Sequence, residues 1–132
     1  MNPASSASAL TAPATRAWVG HWLMAVAVLH TGVAFLLLRK PLLALVERGV
    51  FNSVGQDPVA AATVWFLLFG LLLALLALAI TPLERLGDTA ALTRLGWGVL
   101  LLSLLGVLLM PASGFWLALP AAWTLIRRGR AG

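Results

Sequence analysis

From Pro58 to Ile80 the chain runs for 23 residues without a charged side chain. At about 1.5 Å per residue a helix over that run reaches about 34 Å, enough to cross a hydrocarbon core about 30 Å thick with some tilt. The run has a defined start. Asp57 is a good N-cap, and Pro58 fits the first helical position, where its missing N–H is no loss. The whole chain agrees with this one segment. Of 132 residues, 61% are hydrophobic and 10% charged, whereas a soluble domain carries roughly 25% charged residues. Too few polar side chains remain to coat a water-facing globule, and the apolar excess argues equally against disorder. The length fits one domain.

Three further spans are expected. Arg16 is followed by apolar sequence from Trp18 to Leu38, too long for a signal-peptide core, and Arg39-Lys40-Pro41 is no cleavage site, so the segment is expected to be retained. Asp88 can cap a helix running to Met110, half polar at first and apolar from Leu95. Pro111-Ala112-Ser113-Gly114 is a turn by composition, and residues 112–126 form a short fourth span bent near Pro120. The predicted fold is all-α: an integral-membrane four-helix bundle over residues 17–128, with spans at about 18–38, 58–80, 91–110 and 112–126. Residues 1–16 are expected to be a disordered tail, and 129–132 a short C-terminal one. Pro41 to Arg48 predicts a short amphipathic helix in the interface, followed by a loop to Asp57. Thr81-Pro82-Leu83-Glu84 matches a capping box, which ends the second span near Ile80 and opens a surface turn reaching Gly87.

Net charge is +5. The basic residues sit mainly at the ends of apolar runs, which suits anionic headgroups rather than nucleic acid, and no nucleic-acid-reading motif is present. With four crossings, Arg16, Arg85, Arg94, Arg127, Arg128 and Arg130 share one side, against Arg39, Lys40 and Arg48 on the other. The positive-inside rule then places both termini in the cytoplasm. The tryptophans fall mostly near span ends, as an aromatic belt requires. Small residues supply close packing where apolar burial cannot: Ala27, Thr31 and Ala34 on the first span, Gly70 and Ala74 on the second, Ser103 and Gly106 on the third.

Reactive groups are few. With no cysteine, disulfides, thiolate metal sites, iron–sulfur clusters and a cysteine nucleophile are excluded. No paired carboxylates, metalloprotease helix, phosphate loop or Ser/His/Asp triad is visible. His30 lies near the middle of the first span, where a polar group is costly and marks a functional site by default. The structural alternative is an imidazole bonded to a backbone carbonyl or to Ser103. His21, nine residues away, faces the opposite side of the helix and cannot share a metal with it. Glu47 is the one acid without a capping task, and with Asn52 and Gln56 it could line a polar vestibule. His30, Thr31, Glu47, Asn52 and Ser103 are therefore the ligand-binding or relay candidates; no catalytic residue, metal site or cofactor is expected.

Gly20-His21-Trp22-Leu23, His30-Thr31-Gly32, Trp65 to Gly70, Leu95 to Gly98 and Met110 to Trp116 resemble a bacterial family of small uncharacterised integral membrane proteins, over about residues 18–128. The resemblance implies four spans and an inner-membrane location, and carries no activity. Three functions remain open at this point. One is a non-enzymatic module that binds a membrane-protein partner, a second copy or an apolar ligand between its helices. Another is an oligomeric proton-coupled transporter or transporter subunit using His30. The third is a haem or quinone redox protein.

Overall fold

The computed structural model describes residues 17–49 and 51–130; the predicted tail at 1–16 lies outside them. Among the described residues the chain is all-helical. α1 covers Val19–Leu37, α2 Arg39–Glu47, α3 Pro58–Leu86, α4 Thr89–Leu109 and α5 Leu119–Arg130, with a 3-10 segment at Gly114–Ala118 ahead of α5. Three of these, α1, α3 and α4, are long and apolar enough to cross a membrane.

Local chemistry explains most of the boundaries. The Asp57 carboxylate accepts from the N–H groups of Val59 and Ala60 at 3.0 and 3.2 Å, so α3 starts where its cap and proline require. Its end is set by Gly87, whose φ of +68° only glycine adopts without strain. There Asp88 N–H reaches back to Leu83 O, the six-to-one bond of a Schellman turn. Asp88 then caps α4 by accepting from Ala91 N–H at 3.0 Å, so Gly87 and Asp88 alone join two long antiparallel helices.

The capping box at Thr81–Glu84 does not form. α3 continues through Pro82 to Leu86, 29 residues in all. Pro82 removes one backbone donor, but Ile80 and Glu84, one turn apart, are both buried, and packing holds the turn that local sequence would break. Thr81 turns its hydroxyl back onto Ala77 O at 2.9 Å instead of capping. At the other end, α5 runs through Gly129 to Arg130, residues expected in a tail.

Two intimate helix pairs make the bundle: α1 with α3, and α4 with the 3-10 segment and α5. Close approach within each rests on missing side chains. A Cβ at Gly70 would stand 2.7 Å from Thr31 Oγ1, and one at Gly106 would stand 2.3 Å from the Phe115 ring. A Cβ at Gly129 would meet Thr93 and the carbonyl of Thr89, so α5 runs back along α4 to the level where α4 began. The pairs join over Val19, Leu23, Ala77, Ile80, Leu92, Ala121 and Leu125, all buried. Higher up they are tied by Trp22 Nε1–H donating to Leu117 O at 2.8 Å and by an edge contact of Phe69 with Phe115. Elsewhere the large apolar side chains face outward: Leu36, Leu72, Leu75, Leu101 and Leu108 are all exposed. In water that surface is untenable; against lipid it is the expected outside.

Candidate functional site

Among the features built by this packing are two polar centres and an apolar groove. The first centre lies midway along α1. His30 Nε2–H donates to the backbone carbonyl of Phe66 at 2.9 Å, and the imidazole stacks on the Phe66 ring at 4.0 Å between centroids, 17° from parallel. Phe69 tilts against its edge, with centroids 5.5 Å apart. Gly70, one turn from Phe66, lets α3 come near enough for this. The geometry makes His30 a cross-helix tie whose desolvation is offset by a carbonyl and an aromatic face.

The second centre was not legible as a site. The Glu84 carboxylate is 1% exposed, yet it accepts from the backbone N–H of Gly20 at 2.9 Å and of Val19 at 3.2 Å. It also takes a charge-assisted hydrogen bond from Arg128 on α5. Val19 and Gly20 open α1, and the N-terminal N–H groups of a helix have no partners within it. Glu84 thus caps a helix 64 residues away in sequence, beside the positive end of that helix's dipole. One carboxylate binds the starts and ends of α1, α3 and α5 together.

The groove runs along the α1–α3 seam. It is a hollow of about 350 Å³ lined by Met24, Ala27, Val28, Thr31, Gly32, Gly70, Leu71 and Ala74. Val28 and Leu71 at its rim are exposed. Leu71 lies about 200° round α3 from Phe69, and Val28 about 240° round α1 from Trp22. Those two aromatic residues meet the 3-10 segment, so the groove opens away from α4 and α5. Gly32 is unlike Gly70: a Cβ there would meet nothing within 4 Å. Its small size answers to no neighbour among the described residues.

Of the sequence candidates, His30 and Thr31 share the α1–α3 seam. Ser103 is buried on α4 and donates to Val99 O of its own helix at 2.6 Å rather than to His30. Glu47 ends α2 and Asn52 stands in the following loop with φ +53°, both exposed. Neither lines the groove, so the five do not converge there. In that loop Arg48 pairs with Asp57 at 3.0 Å, closing the α2–α3 connection. His21 is exposed near the start of α1, with Nδ1 2.7 Å from Ala17 O. No group of three His, Asp or Glu side chains among the described residues is placed to hold a metal ion.

Residues 14–132 match the profile of a family of unknown function, DUF6463. No curated protein and no solved structure matches the chain.

Proposed function

We propose that this chain, which belongs to DUF6463, is a non-enzymatic bacterial inner-membrane protein that receives an apolar partner, a transmembrane helix, in the α1–α3 groove. The observation that carries the reading is Gly32. In a helix interior glycine costs about 1 kcal/mol relative to alanine, and here no internal contact requires it. Small residues on a lipid-facing groove let another helix approach closely enough for packing and weak hydrogen bonds to hold it. Gly32 and the half-buried Ala74 supply that surface, over a floor made by Thr31 and the buried Ala27 and Gly70.

The reading includes a fourth crossing. The 3-10 segment rises about 2 Å per residue, so Gly114–Ile126 reaches about 22 Å, and the last turn to Arg130 adds about 6 Å at headgroup level. Arg127, Arg128 and Arg130 then meet the headgroups, and the excess of arginine at that end puts both termini in the cytoplasm. The His30 relay reading gains less from the geometry, since Nε2 is engaged with a backbone carbonyl.

A photo-crosslinking amino acid at position 32 tests the proposal, with the same group at the exposed Leu104 on α4 as control. A discrete protein adduct from position 32 and none from 104 is expected, and Gly32→Leu should abolish capture by a crosslinker at Val28. Adducts to bulk phospholipid alone, equal at both sites, would overturn it. A small lipophilic adduct in place of a protein would replace the helix by an apolar ligand.

A further inference from the structure

Arg127 and Arg128 are neighbours with different employment. Arg128 is bound to Glu84. Arg127 and Arg130 form no ion pair among the described residues; each is instead parked over an indole. The Arg127 guanidinium carbon lies 5.5 Å from the Trp123 ring centroid, and that of Arg130 lies 5.8 Å from the Trp97 ring. Arg130 is on α5 and Trp97 on α4, so the second contact spans the two helices. At 100° per residue, Trp123, Arg127 and Arg130 fall within about 60° of one another on α5. Both indoles are exposed, and neither indole N–H has an acceptor among the described residues, whereas those of Trp22 and Trp116 donate to Leu117 O and Pro111 O.

The acids at this end are already committed. Glu84 is buried against Arg128 and the α1 amides, and Asp88 caps α4. A guanidinium stacked on an aromatic face keeps its N–H edge outward and loses little further freedom on binding a planar pair of oxygens. The backbone positions of Arg127 and Arg130, at i and i+3, are neighbours on one face of α5. We propose that this α4–α5 face binds an anionic phospholipid headgroup, with preference for one carrying two phosphates on a short bridge, as in diphosphatidylglycerol. Arg127 and Arg130 each take a phosphate, while the Trp97 and Trp123 N–H groups reach the ester region beneath. The site rests on the membrane-crossing reading but not on the groove.

The test is native mass spectrometry of the detergent-purified full chain, titrated with diphosphatidylglycerol, phosphatidylglycerol, phosphatidylcholine or inorganic phosphate. Diphosphatidylglycerol should bind at least tenfold more tightly than phosphatidylcholine. Arg127→Gln with Arg130→Gln should remove that preference, while Arg39→Gln with Lys40→Gln at the opposite end leaves it unchanged. Arg127→Lys with Arg130→Lys, which keeps the charge without the planar fork, should lose about threefold, and circular dichroism verifies that each variant is folded. Equal losses from both ends, no preference in the parent protein, or full competition by millimolar inorganic phosphate would overturn the site. Failure of the membrane reading is distinguishable, because the protein would then stay monodisperse after detergent removal.

Discussion

Replacing Glu84 by glutamine removes one charge and little volume from a site where three helices meet. The carboxylate holds two backbone N–H groups and a guanidinium, and is itself sealed from solvent. A neutral amide retains one accepting oxygen and turns a donor toward a donor. Breaking a buried pair from one side costs about 3–5 kcal/mol. The Arg128 side chain is a quarter exposed and can swing toward headgroups or water, which lowers the expectation to about 2–3 kcal/mol. Glu84→Leu, which leaves the α1 amides with no acceptor, should cost about 1 kcal/mol more. Unfolding in mixed micelles with rising dodecyl sulfate, followed by tryptophan fluorescence, reads these differences. A cycle with Arg128→Gln should return a coupling of about 1–2 kcal/mol, while Arg127→Gln, one residue away and without a carboxylate partner, should stay within about 0.5 kcal/mol. A Glu84→Gln protein as stable as the parent, with no coupling to Arg128, would refute the view that this carboxylate ties α1, α3 and α5.

Gly70→Val should force α1 from α3, because the first added carbon already stands 2.7 Å from Thr31 Oγ1; a loss of about 1–3 kcal/mol is expected in the same assay. Gly32→Ala, with open space around it, should be neutral or stabilising by up to about 1 kcal/mol in the isolated protein. Substituting His30 by Phe keeps the stack on Phe66 but loses the Nε2–H bond, at about 1 kcal/mol in unfolding experiments. Asp57 is held below its ordinary 3.8 first by the Ala60 N–H and then by Arg48. Its contribution is therefore fully present above pH 3.8 and fades as pH falls through the lower folded value. Protection factors at the first turn of α3, taken against the intrinsic exchange rate at each pH, should fall in acid in the parent protein and lose that acid step in Asp57→Asn.

What could be read from sequence was local. Asp57-Pro58 and Asp88 mark helix starts through groups two or three residues away, and both caps form where those signals stand. Thr81-Pro82-Leu83-Glu84 carries an equally good local signal that the fold overrides, because the partners of Glu84 are supplied by α1 and α5. Periodicity cannot show that a carboxylate will be consumed 64 residues upstream. The helix end at Arg130 has no local signal either, because Gly129 fits against Thr93 on α4 instead of ending the helix. His30 was legible as an oddity from its depth in an apolar run, and its carbonyl partner was among the alternatives open to it. That the partner is Phe66, with a stacked ring, depends on the α1–α3 register that Gly70 sets.

Crossing of the bilayer, with the α2–α3 loop on one side and the Gly87 turn on the other, is the proposal most directly open to test. With no native cysteine, single cysteines at the exposed Gln56, Leu86 and Ala112 can be reacted with a membrane-impermeant maleimide in intact bacterial cells and after permeabilisation. Labelling of positions 56 and 112 in intact cells, and of 86 only after permeabilisation, is predicted. Equal labelling of all three in intact cells, or protection of 56 together with 86, would contradict it.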